Sequence, residues 1–96
     1  MIPVKMVRQV SSRDVVRRMK EIYGLKEDWA TLYIMGEAAG NGSTRIADAR
    51  KTQDPPLKYE DFSGFSTYGG SVDRIFEDLC NRDELEPGRY EIYHSW

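Results

Sequence analysis

Asn41-Gly42, standing between two runs that each read as a strand, constrains this chain more than any other feature. A two-residue type I′ turn needs positive φ at both central positions, and Asn-Gly supplies it at the lowest steric cost. The flanking runs are Trp29 to Gly40 and Ser43 to Thr52. Paired across the turn, Leu32, Ile34 and Ala38 would share a face near Ala47 and Ala49. The competing reading of the first run is a helix begun by Asp28 and closed by Gly40, because Ala, Leu, Met and Glu are good helix formers. Gly36 in the middle of that run and the β-rich stretch Thr31 to Ile34 favour the strand.

Elements fall into place on both sides of this hairpin. Ile2, Val4, Met6 and Val10 lie on one side of a first strand by their near-alternation with Lys5, Val7 and Gln9. Ser11 and Ser12 offer an N-cap and Asp14 a first-turn carboxylate, so a helix follows, with Val15, Val16, Met19, Ile22 and Tyr23 as its apolar stripe and Gly24 as its C-cap. Ser71 opens a second helix whose Val72, Ile75, Phe76, Leu79 and Cys80 recur at intervals of three and four. After the Pro87-Gly88 turn, Tyr90, Ile92, His94 and Trp96 alternate with Arg89, Glu91, Tyr93 and Ser95 as a closing strand. The order β-α-β-β-α-β predicts an α+β domain of ferredoxin-like topology: one four-stranded antiparallel sheet with two helices on one face and the other face open. With 96 residues, the chain is long enough for one domain with one core and too short for two.

The formal net charge of −2 conceals two opposite halves. Residues 1–52 carry ten Lys and Arg against six Asp and Glu, whereas residues 53–96 carry four against ten. Such a chain can direct its basic half to phosphates, its acidic half to a basic protein surface, or each half to the other. Cys80, the single cysteine, rules out an internal disulfide and fits a reducing compartment. The first ten residues hold no signal-peptide apolar run, and no stretch approaches the roughly 20 apolar residues of a membrane span. A cytoplasmic location is the resulting expectation.

Catalytic signatures are missing from this pattern. His94, the one histidine, has no serine or cysteine placed by sequence to make it a base, and Cys80 sits on an apolar helix face where a thiol is inert. Glu77, Asp78, Asp83, Glu84 and Glu86 lack the alternation and central glycine of a calcium loop. Tyr68-Gly69-Gly70-Ser71 lacks the lysine and the spacing of a phosphate loop. No cofactor and no metal site is expected. An RNA-recognition reading of the topology wants aromatics on the third strand, and STRIADARK has none there. Tyr33, Tyr93 and Lys5 would form only a weak basic-aromatic patch.

The segment Gln53 to Gly70 carries the remaining signal. Pro55-Pro56 and Gly64, Gly69 and Gly70 exclude regular structure, yet Tyr59, Phe62, Phe65 and Tyr68 mark it as packed. Rings interleaved with small polar residues have the composition of a recognition surface. The sequence therefore points to a non-enzymatic protein-binding module, an inhibitor or adaptor that occupies the basic surface of a nucleic-acid-handling partner through Tyr59, Glu60, Asp61, Phe65, Tyr68, Asp73 and Glu77. Direct nucleic-acid binding through Arg13, Arg17, Arg45, Arg50 and Lys51 is the alternative, and a small enzyme built on His94 a further one. An open sheet face would also suit a homodimer.

Overall fold

The computed structural model describes residues 7–36, 44–65 and 71–93. Strand β1 (Val7–Ser11) leads directly into helix α1 (Ser12–Tyr23), followed by α2 (Glu27–Met35) and β2 (Thr44–Ala49). An extended segment then reaches a 3-10 helix (Tyr59–Gly64), after which come α3 (Val72–Asn81) and β3 (Gly88–Tyr93). The sheet has three described strands in the order β1-β3-β2, with β3 parallel to β1 and antiparallel to β2. The four-stranded antiparallel ferredoxin-like arrangement is thereby overturned: this is an α+β fold with one mixed sheet.

The error lies in the run expected to be the second strand. Residues from Trp29 to Met35 are helical, and the Asn41-Gly42 turn lies outside the described residues. Burial shows the period: Ala30, Tyr33 and Ile34 are buried at the i, i+3, i+4 spacing of a helix, whereas Leu32, which a strand would bury beside Ile34, is 37% exposed. Glu27 and Asp28 supply acid to the first turn. Gly36, which argued against a helix, ends this one: at φ 57° its N–H donates to the Leu32 carbonyl.

The other helices follow their sequence signals. In α1 the Ser11 hydroxyl accepts from the Arg13 N–H at 3.2 Å, and Gly24, at φ 74°, closes the helix by donating to the Lys20 carbonyl. Val15, Val16, Met19 and Tyr23 face the core, with Ile22 packed at its edge. In α3 the whole stripe Val72, Ile75, Phe76, Leu79 and Cys80 is buried. Tyr90 and Ile92 of β3 form the inner face of the sheet with Ala47 and Ala49, and the Phe76 ring packs on Tyr90 at 5.8 Å. Arg89, Glu91 and Tyr93 project from the opposite face beside Ile46 and Asp48, where Ile46 and Tyr93 are exposed.

Helix α3 also guards the edge of β2 that no described strand pairs. The Asp73 carboxylate accepts the Asp48 N–H at 3.0 Å, satisfying a backbone donor that an edge strand would leave open. Further along, the Thr52 N–H donates to Asn81 Oδ1 at 2.8 Å, and Asn81 Nδ2 returns a bond to Thr52 Oγ1 at 2.8 Å. The chain from 53 to 58 is then fixed to the same helix: Leu57 donates its N–H to Asp78, Arg82 donates to the Leu57 carbonyl, and Arg74 donates to that of Pro55. The long loop is a strap held by α3, and this delivers the 3-10 helix to its place against α2.

Candidate recognition cleft

Where the 3-10 helix meets α2, the surface opens into a cleft of about 250 Å³ lined by Leu25, Lys26, Trp29, Tyr33, Tyr59, Glu60, Phe62 and Ser63. Its floor is aromatic. Phe62 is 1% exposed, and its ring stands 5.2 Å from Tyr33 and 4.8 Å from Tyr23. Phe65, half-buried, closes the cluster at 5.1 Å from Phe62 and 6.4 Å from Tyr33. Trp29 precedes Tyr33 by one helical turn, with ring centroids 6.3 Å apart. Trp29 and Tyr59 line the cleft while 49% and 63% exposed. Large rings left this open over an apolar floor are unusual on a small domain.

Local bonding holds the cleft in shape. The Asp61 carboxylate accepts the Lys58 N–H at 2.8 Å and the Asp61 N–H donates to the Lys58 carbonyl at 3.0 Å, so the first turn of the 3-10 helix is closed from both sides. The Ser63 hydroxyl donates to the Glu60 carbonyl at 2.9 Å. The side chains of Glu60 and Lys26 are exposed and pair with no other described residue. Beneath lies Asp78, whose carboxylate accepts from the Tyr23 hydroxyl, from Leu57 N–H at 2.9 Å and from Arg82 Nε at 2.7 Å. The Arg82 guanidinium in turn lies 5.4 Å from the Tyr23 ring centroid. Burial, and then the bond to Asp78, push the Tyr23 phenol above its ordinary range.

The residues singled out from sequence are dispersed. Tyr59 and Glu60 line the cleft, Asp61 caps the 3-10 helix, and Phe65 packs into the aromatic cluster. Asp73 and Glu77 lie on α3 and face the chain's own β2 segment, Asp73 through the Asp48 N–H and Glu77 through Arg50 at 3.3 Å. Tyr68 and His94 lie outside the described residues. The basic set does not converge either. Arg17 pairs with Asp14, Arg45 donates to the Met35 carbonyl at the end of α2, and Lys51 bonds the Cys80 carbonyl and Asp83. Arg13 alone of the five has an exposed side chain without a described partner. The patch of Tyr33, Tyr93 and Lys5 is likewise undone, since Tyr33 belongs to α2. The Cys80 thiol is buried, and that burial raises its pKa, which is the condition of an inert core sulfur.

Trp29, Leu25 and Lys26 are not among the residues singled out from sequence, and Tyr33 is singled out only for a patch with Tyr93 and Lys5. The aromatic pair Trp29 and Tyr33 at i, i+4 was the available signal, and assigning that run to a strand placed the two rings on one strand face with Thr31 between them. The lining offers rings, one carboxylate, one ammonium, the Ser63 hydroxyl and two phenols, a set suited to recognition. Among the described residues no three His, Cys, Asp or Glu side chains gather as metal ligands, and no helix is long and apolar enough to cross a membrane. Fold and cleft together define a small α+β domain with a mixed three-stranded sheet and an aromatic surface cleft. No protein family matches this chain, and neither does any curated protein or solved structure.

Proposed function

We propose that the protein acts by binding another protein, with one side chain of the partner seated in the cleft between Trp29 and Tyr59. The observation that carries this reading is the pair of half-open aromatic walls above a floor that is already buried. Interface anchors concentrate in such places, because a preformed aromatic pocket gains contact area without paying for its own ordering. A cleft of about 250 Å³ is smaller than the roughly 300 Å³ at which small-molecule sites begin, and a single side chain is the natural scale of occupant. An inhibitor or an adaptor would both work this way.

The acidic half lends this role less support than its composition suggested. Glu77, Asp83, Glu84 and Glu86 face Arg50, Lys51, Arg18 and Arg8 of the same chain, so their charge is already partly compensated. Support therefore rests on the cleft. Affinity capture from host lysate after nuclease treatment tests the proposal, comparing the native chain with the Trp29→Ala, Tyr59→Ala double variant. A stoichiometric protein held by the native chain and lost by a folded double variant is the expected result. Undiminished capture by the double variant would sink the reading.

A further inference from the structure

We infer that the side chain received by the cleft is cationic, an arginine exposed on the partner protein; this rests on the protein-binding reading above and adds the chemistry of the anchor. Trp29, Tyr33 and Tyr59 put three aromatic rings in the lining, and an aromatic ring is the partner a guanidinium prefers to stack on. Beside them stands Glu60, exposed, with a carboxylate paired with no other described residue. The two segments that build the rim, 25–29 and 58–63, carry Glu27, Asp28, Glu60 and Asp61 against Lys26 and Lys58, and with Lys20, which lies 3.9 Å from Glu27, counted against them these residues carry one net negative charge. That imbalance is what charge complementarity asks of a cation receptor.

An apolar anchor would fit the same volume but would cover Glu60 without replacing its water, and an uncompensated carboxylate opposes such burial. A guanidinium compensates it. Lys26 is the one opposing charge in the lining, and its exposed side chain is held by no bond to a described residue, so it can turn away as the cation enters. Arginine is preferred over lysine because its planar head is more weakly hydrated and stacks while still donating to a carboxylate.

The test uses the isotope-labelled full chain and four acetylated, amidated peptides of glycine around one central residue: arginine, citrulline, leucine or glutamate. Nuclear magnetic resonance follows the Trp29 indole and the Tyr59 and Glu60 amides. The arginine peptide is expected to move these signals with a Kd about tenfold below that of the citrulline peptide, the isostere without the charge. Glu60→Gln should remove most of that advantage, and Lys26→Gln should enlarge it. Equal or tighter binding of citrulline or leucine in the cleft overturns the cationic anchor and leaves the protein-binding cleft standing. Preference for glutamate overturns it as well, as does an arginine affinity indifferent to Glu60→Gln. If no peptide moves the cleft signals the inference also falls, while the capture experiment with the double variant judges the protein-binding reading separately.

Discussion

Asp78 is 1% exposed, and its carboxylate gathers a hydroxyl from α1, a backbone N–H from the strap and a guanidinium from its own helix. Removing it would leave three donors without their acceptor, two of them in the interior. Asp78→Ala should therefore cost about 3 kcal/mol, against about 1 kcal/mol for Tyr23→Phe, which leaves Asp78 two of its partners; denaturant midpoints measure both. The Tyr23 phenol adds a pH dependence. Burial first, and the Asp78 bond second, raise its pKa, so the folded chain favours the neutral form. The stability this contributes is complete below the unfolded phenol value of about 10 and is lost as pH rises beyond it. Midpoints followed into the alkaline range should fall more steeply for the native chain than for Tyr23→Phe. Parallel curves would remove Tyr23 from the account.

At the scale of elements, the spacing of the chain from β2 to Thr52 matches the helical repeat of α3. Asp48, Arg50 and Thr52 advance two residues at a time, about 6.6 Å, while Asp73, Glu77 and Asn81 advance four at a time, about 6 Å, so each rung meets its partner. The rungs are unequal. Arg50 is largely exposed, and its pair with Glu77 is worth well under 1 kcal/mol. Asn81 and Thr52 exchange two bonds in a half-buried position, so Asn81→Ala should cost about 1 to 2 kcal/mol and Glu77→Gln almost nothing. Hydrogen exchange at the Thr52 amide should accelerate in Asn81→Ala and stay unchanged in Glu77→Gln. Between α1 and α2, Gly24 tests backbone conformation alone: a Cβ there would touch nothing within 4 Å, yet φ is 74°. Gly24→Ala should cost about 1 kcal/mol, read from the thermal midpoint, through the left-handed conformation and not through a clash.

For the whole molecule, the two oppositely charged halves answer each other. Arg8 meets Glu86, Arg18 meets Glu84, Arg50 meets Glu77 and Lys51 meets Asp83, in each case a basic residue before position 53 and an acidic one after it. Strand β3, from the second half, lies between β1 and β2 of the first. Among the described residues, neither half pairs two strands of its own. Fragments 1–52 and 53–96, divided in the exposed stretch 53–56, should each lack stable structure by far-ultraviolet circular dichroism and recover it on mixing, with association weakened by salt. A fragment that folds alone would contradict this division of labour.

Helices α1 and α3 were legible in the sequence because their stripes are long, regular and bounded by a serine and, for α1, a glycine, signals that are local in the chain. The closing strand was legible for the same reason, as Tyr90 and Ile92 alternate with charged or exposed neighbours. Aromatic packing in the 53–70 segment was visible as composition, and Phe62 and Phe65 do enter the cluster. Helix α2 was not resolved, since over nine residues period two and period 3.6 share Ile34, and only burial against α1 separates them. The cleft followed that error: its wall at Trp29 and Tyr33 exists only once the run is helical, and its other wall at Tyr59 is set by bonds between residues 55–58 and α3. Local propensity and periodicity, properties of neighbouring residues, thus determined α1, α3 and stretches of all three described strands from sequence alone. The strand order, the fate of the charges and the meeting of Trp29 with Tyr59 depended on contacts between residues distant in the chain, and those only the tertiary structure decides.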